Sequence, residues 1–432
     1  MHEFQYRNGE LHCEEVPLSK IAAKYGTPCY VYSHRTIRDH YQKLDQALGE
    51  LDHTICYAVK ANSNLAVLRT IASLGGGFDV VSKGEIERVV AAGGDHHRCI
   101  FAGVGKTIRE IEFALRLGIY AFNIESEAEL ERINSVARRL RKRAPISIRV
   151  NPNVDAKTHA KITTGTYENK FGIAFERIKQ VYQKASRLSH IDIKGIQMHI
   201  GSQLTTADPF EGAVKKMAPL VRELRERYHI EFFSIGGGLG IVYNPALESG
   251  RPSWWRKPQA ANILTPESYA QSLVPLLKPL GVRILVEPGR FIAGNAGVLV
   301  TQVEYIKKTG KKNFVIVNAA MNDLIRPAFY EAHHDIVPTR KKPGAKISSD
   351  VVGPICETGD TFCKDRPLPR VKEGDYLAIL SAGAYAFVMA SNYNTRPMPA
   401  EIMVNGKRAS VVRERETAAS LWAPERIPSW IK

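Results

Sequence analysis

From about residue 29 the chain alternates short β-rich runs with longer amphipathic stretches, and that alternation limits its fold more than any other feature. The candidate strands are "YVYS" (30–33), "TICYAVKAN" (54–62), "GFDVVS" (77–82), "CIFAGV" (99–104), "AFNIES" (121–126), "ISIRVNP" (146–152), "GIQMHIGS" (195–202), "FFSIGGGLG" (232–240) and "ILVEPGR" (284–290). Most are apolar on both faces, as strands buried beneath helices on either side must be. The intervening stretches read as helices; "TIREIEFALRLG" closes on Gly118, a residue suited to a C-cap. Roughly eight β-then-α units over about 260 residues predict a (β/α)8 barrel of the TIM type. A doubly wound open sheet is the rival architecture, but it seldom needs so many repeats.

After Arg290 the pattern changes. "VLVTQVEYIKK", "NFVIVNAAM", "YLAILSAGAYAF" and "AEIMVNGKRASVVRE" read as strands and turns, with a hairpin signal at Asn405-Gly406. The fold class expected is α/β plus β: a barrel over residues 31–290 and a C-terminal β domain, sandwich- or barrel-like, over 291–432. Residues 1–30 read as a strand and a short helix, "LSKIAAKYG", packing with that β domain. The Pro-rich stretch 244–262, with Trp254 and Trp255, reads as a covering loop.

The chain of 432 residues has room for two full cores. It contains no apolar run of the about 18 residues a bilayer requires, and its polar, acid-bearing start is no secretory signal, so a cytoplasmic protein is expected. Six scattered cysteines without a CxxC pair argue for reduced thiols, against a disulfide framework and against zinc. The net charge of +16 raises the question of nucleic acid. Its densest run, "ARRLRKR" (137–143), closes a helix in which Ser126 and Glu129 form a capping-box pattern and Leu130, Ile133, Ala137 and Leu140 an apolar stripe. Cations there complement the helix dipole, and no stacking aromatics accompany them. Neither nucleic acid nor a membrane is the expected partner.

Barrel enzymes collect their chemistry at the C-terminal strand ends. Lys60, Asp79, Arg149, His199 with Ser202, Gly236–Gly238 and Glu287 all fall there. Each alone has a dull explanation: a lysine closing a strand is commonly a solvated cap, a histidine a satisfied core residue, a glycine run a tight turn. Six on one rim are harder to dismiss. A lysine desolvated in an apolar mouth is a nucleophilic amine suited to a Schiff base. A glycine-rich turn followed by a helix offers free N–H groups to a phosphate. A glutamate facing a pyridine nitrogen keeps it protonated. Pyridoxal 5'-phosphate demands that combination of its protein. No GxGxxG or Walker lysine competes for the phosphate.

"YAVKAN", "GFDVVSKGE", "HIGSQ", "GGGLG" and "EPGR" resemble, in order and spacing, the alanine-racemase-like barrel class of pyridoxal-phosphate enzymes. More narrowly, "NPNVDAKTHAKITTGTYENKFGI" (151–173), "MNDLIRPAFYEAHH" (321–334), "DVVGPICETGD" (350–360) and "AGAYAFVMASNYNTRPMPAE" (382–401) are similar to the diaminopimelate decarboxylases. The resemblance implies that Lys60 forms the imine with the cofactor, His199 stacks on its ring and Glu287 pairs with its pyridine nitrogen. Ser202 with Gly236, Gly237 and Gly238 would hold the phosphate, with Gly289, Arg290 and Tyr385 also at the cofactor. Arg290, Arg326 and Tyr330 would bind the distal carboxylate of meso-diaminopimelate, and Glu357 its distal ammonium, with Tyr385 touching substrate as well. Cys356 would be the proton donor, supplied with Glu357 across a homodimer interface. Asp79, Glu85 and Arg149 would orient this ring of side chains.

The implied reaction is decarboxylation at the D-centre to L-lysine and carbon dioxide, the last step of lysine biosynthesis. A decarboxylase for ornithine, arginine or lysine shares the barrel and lysine, but paired Arg290 and Arg326 would repel a cationic tail. An alanine racemase would set arginine where Glu287 stands. A cofactor carrier built from the bare barrel has no use for the further residues bearing Cys356, Glu357 and Tyr385.

Overall fold

A computed structural model describes residues 1–154 and 170–432, in two units. Much of the 151–173 motif, residues 155–169, lies outside the described residues.

The first unit, Ile37–Ile241 with Lys257–Ile292, is a closed parallel barrel. Its strands are β1 (His53–Ala58), β2 (Gly77–Val80), β3 (Cys99–Phe101), β4 (Ala121–Ile124), β5 (Ala144–Asn151), β6 (Ile191–Met198), β7 (Phe232–Ser234) and β8 (Arg283–Val286). Each pairs in parallel with the next, and β8 closes on β1 through Ile284–His53, Leu285–Thr54 and Val286–Ile55. Strands β2, β3, β4 and β7 are buried along their whole length, and their few polar residues, Asp79, Asn123 and Ser234, are buried with them.

The helices between them start and stop on identifiable signals. Thr107 and Glu110 form a reciprocal capping box on Ile108–Leu117, and Gly118 ends that helix with φ +83°. Ser126 caps Glu127–Arg139, but only half of the expected box forms. The Glu129 carboxylate turns instead to Lys106 Nζ (2.7 Å) and to the N–H of Glu125 (2.7 Å), a buried pair on which the end of β4 rests.

The second unit gathers Met1–Thr36, Val242–Arg256 and Ala293–Lys432. Its main sheet is centred on Gly297–Lys308, which pairs antiparallel with Asn313–Val317, Tyr376–Ile379 and Cys29–Ser33. The Ala400–Asn405 and Arg408–Arg413 hairpin turns at Gly406, φ +58°. Residues 30–33, expected as a barrel strand, therefore belong to this sheet, where Cys29–Ser33 runs parallel to Ala400–Asn405. The apolar run alone cannot reveal its partner, because a fully buried strand reads alike in either sheet. Phe4, Leu11 and Leu18 share a core with Val298 and Ile402. Trp254 is buried in this unit and stacks edge-on against Trp255.

All six cysteines are free thiols, five buried and Cys356 exposed. No helix among the described residues is long and apolar enough to cross a membrane.

Candidate active site

The C-terminal ends of the barrel strands bring the expected residues to one mouth. β1 stops at Ala58, and a single 3-10 turn, Val59–Ala61, follows. Val59 and Ala61 are buried while Lys60 points outward, so the apolar run ends on a lysine because that turn presents one side chain to the mouth and two to the core. Asn64 then caps the helix Leu65–Ser73 by accepting the N–H of Ala66. Ala58 N–H donates to Pro288 O, which fastens this turn to the segment carrying Glu287, Gly289 and Arg290.

Lys60 Nζ donates to Asp79 Oδ2 at 2.5 Å. Asp79 is 1% exposed, but the Lys60 side chain is 43% exposed. The desolvated amine expected from the sequence is thus corrected: Lys60 reaches past the buried rim into the open mouth and is held there by a carboxylate. Next to Asp79, the Glu85 carboxyl accepts the Val81 N–H (2.7 Å), and burial raises it to about 7.

Opposite, His199 Nδ1 accepts the N–H of Gly237 at 3.2 Å. Burial first, then the charges of Arg149 and Lys60, hold this imidazole well below its usual range, so it is neutral, as an acceptor at Nδ1 must be. The glycine run has no room for side chains: a Cβ at Gly236 would lie 2.5 Å from Met198 O, and one at Gly237 2.3 Å from Glu287 O. Gly236 and Gly238 also adopt φ +72° and +114°. Leu204 N–H donates to Gly238 O and Gly240 N–H to Leu204 O, strapping the run to the segment bearing Ser202. No helix follows directly, contrary to expectation: the chain continues as a bridge between Leu239 and Leu204 and then as loop. The run is bare backbone with no helix dipole behind it, and its Gly236 N–H is donated to Ser234 Oγ. Arg290 Nη2 donates to Ser202 Oγ at 3.1 Å, and Gly289 is buried beside it.

Three participants escape the sequence reading. Glu125 accepts Arg149 Nη1 at 3.1 Å and the N–H groups of Gly103 and Gly172, and so fixes the arginine, which also lies over the Phe171 ring. Ser234 and Gln197 both bond to Glu287. The signal was available in the two-residue period of a strand: Gln197 shares a face with His199, and Ser234 with Gly236.

The remaining expected residues lie in the β unit. Arg326 is buried, its guanidinium over the rings of Tyr243 (5.3 Å) and Tyr330 (5.8 Å), with Nε donating to His334 Nε2 at 3.3 Å. Tyr385 has φ +53°, a strained state for an aromatic residue. Cys356 N–H donates to Asn394 Oδ1, and a bond to Glu357 raises the Tyr393 phenol.

The barrel mouth has the chemistry to hold a phosphorylated pyridine aldehyde. It offers an accessible amine, a neutral imidazole, a backbone cradle and a buried carboxylate. Buried Asp79 Oδ1, Arg149 Nη2 and Gln197 Oε1 have no hydrogen-bond partner among the described residues. Residues 34–294 match the pyridoxal binding domain of the pyridoxal-dependent decarboxylases. The chain is 51% identical to the diaminopimelate decarboxylase of Vibrio cholerae over 99% of both chains, and 48% identical to that of Pseudomonas aeruginosa over 99% of each. This chain belongs to the diaminopimelate decarboxylase family. Two solved members of the family are similar in structure. The Helicobacter pylori enzyme in complex with L-lysine gives a TM-score of 0.87 at 39% identity, over 94% of this chain and 99% of that one. The M. jannaschii enzyme gives 0.91 at 35% identity, over 99% of each. Pyridoxal phosphate is the cofactor of the family, and the mouth fits it.

Proposed function

We infer that this chain removes carbon dioxide from meso-2,6-diaminopimelate at its D-centre and releases L-lysine. The observation that carries this reading is the convergence of Lys60, the Gly236–Gly238 cradle and Glu287 on one barrel mouth, fastened by the Ala58–Pro288 and Glu287–Gly236 backbone bonds (3.1 and 2.8 Å).

Lys60 is the amine that would hold the cofactor aldehyde, with Asp79 Oδ2 as its hydrogen-bond acceptor. His199, a neutral imidazole, would stack on the ring. Ser202 and the Gly236–Gly238 run would hold the phosphate, joined by Tyr385; Gly236 and Gly237 already donate their N–H groups to Ser234 and His199, so the Gly238 N–H would be the run's donor, and Glu287 would pair with the ring nitrogen. Pyridoxal phosphate, when bound, supplies the electron sink for the bond that carbon dioxide leaves behind.

The substrate carries an amino-acid head at each end, so the unreactive head must be fixed. Arg290, Arg326 and Tyr330 bind its carboxylate and Glu357 its ammonium, through charge-assisted bonds. Holding one head sets which centre reacts, which is how orientation selects the D-configured carbon. Cys356 Sγ delivers the proton that replaces the carboxylate. An exposed thiol beside Glu357 suits a site completed by a second copy of the chain, and we read the enzyme as a homodimer sharing its sites and working in the cytoplasm.

The test is carbon dioxide release from meso-diaminopimelate, lysine, ornithine and arginine in parallel. Release from meso-diaminopimelate alone is expected, and Lys60→Ala abolishes both turnover and the yellow colour of the holoenzyme. Release only from the monocarboxylates overturns the substrate assignment.

A further inference from the structure

The interior of a TIM-type barrel is ordinarily filled by branched apolar side chains. Here one level is polar: Arg149, Gln197 and Ser234 are register partners on β5, β6 and β7. Gln197 is 2% exposed and Ser234 fully buried. Both address Glu287 from below the rim. Ser234 Oγ donates to Oε1 at 2.6 Å and Gln197 Nε2 to Oε2 at 3.2 Å. The Ser234 oxygen accepts the Gly236 N–H (3.2 Å), which commits its proton to the glutamate. The amide is oriented with Nε2 toward Glu287, because its oxygen would be repelled by a carboxylate.

We propose that Gln197 and Ser234 are positioning residues that keep Glu287 anionic and aimed at the cofactor's ring nitrogen, so that the proton of this pair resides on nitrogen. The proposal rests on the reading that Glu287 faces that nitrogen. A buried carboxylate deprived of donors lowers its energy by taking up a proton. Burial and the nearby Asp79 already push Glu287 up to about 7, opposed by the Ser234 bond and by the charges of Lys60 and Arg149. Without the two donors the proton moves from nitrogen to carboxylate, the ring becomes neutral, and the electron sink weakens while the substrate-binding groups stay in place.

The experiment uses holoenzyme loaded with pyridoxal phosphate carrying 15N in the ring, and reads the nitrogen chemical shift. Wild type is expected to show a pyridinium signal. Ser234→Ala and Gln197→Leu move it toward neutral pyridine, and Ser234→Thr, which keeps the hydroxyl, restores it. In the same variants kcat falls about tenfold or more, the scale of one bond to a charged group, with KM within about twofold. Should Ser234→Ala not fold, Ser234→Cys, a weaker donor of similar size, is expected to give an intermediate shift. Variants that keep the wild-type pyridinium signal overturn the proposal. A neutral ring in wild type overturns the Glu287 reading as well, so the two failures are told apart.

Discussion

Glu287 shows at the scale of one residue what burial does to a carboxyl group. Its folded-state value is raised from 4.5 to about 7. Unfolded, the same group loses its proton near its ordinary value; folded, it keeps it to about 7. Below the lower value both states are protonated and nothing is lost. As pH rises through the window between them, the unfolded chain is favoured, by about 3 kcal/mol at most. Cofactor-free protein should therefore melt at progressively lower temperature from pH 5 to about 7 and level off above that, and Glu287→Gln should remove part of that slope. Glu85, also raised to about 7, contributes equally to both proteins, so the difference isolates Glu287. Parallel melting curves for the two would refute the assignment. Lys60 was legible from its place at the end of an apolar run, yet its 43% exposure was not. Local sequence shows where a side chain leaves the strand, whereas solvent access depends on what surrounds the mouth.

Among the elements, the glycine run between β7 and the Leu239 bridge has the least tolerance. Gly237→Ala places a Cβ 2.3 Å from Glu287 O, a backbone atom that cannot swing aside. Destabilisation of about 1–3 kcal/mol and loss of cofactor affinity are expected, read by thermal melting and by cofactor titration. Gly212, inside the helix Asp208–Tyr228 with nothing within 4 Å, should respond with the opposite sign. Alanine there should stabilise by about 0.5–1 kcal/mol through helix propensity. Equal effects at the two positions would show that the cradle is not tightly packed. The end of the helix Ile108–Leu117 at Gly118 was readable because capping is local chemistry. The Glu129 half of the expected capping box does not form because a buried lysine 23 residues away, Lys106, claims its carboxylate. Gln197 and Ser234 share strand faces with His199 and Gly236, but the carboxylate they meet, Glu287, lies 90 and 53 residues away.

For the whole molecule, the proposed sharing of sites between two copies has a direct consequence. Lys60→Ala and Cys356→Ala are each expected to lose nearly all turnover when pure. Mixed and reassembled, half the dimers pair one of each, and such a dimer carries one fully native site of two. About a quarter of wild-type activity should return. No recovery after verified exchange would mean that each copy completes its own site.

The barrel, its strand ends and the residues at its rim follow from local rules: period, caps and the placement of polar groups in apolar runs. The sequence by itself therefore determined the fold class and which polar residues stand at the barrel's strand ends. Only the tertiary structure decided that residues 29–33 leave the barrel for the β sheet, that Lys60 stands in the open beside Asp79, and that Glu287 rests on Gln197 and Ser234. Strand partners, solvent exposure and the groups that buried side chains bond to are relations between segments far apart in the chain; the local period shows which side chains share a face, not what they meet.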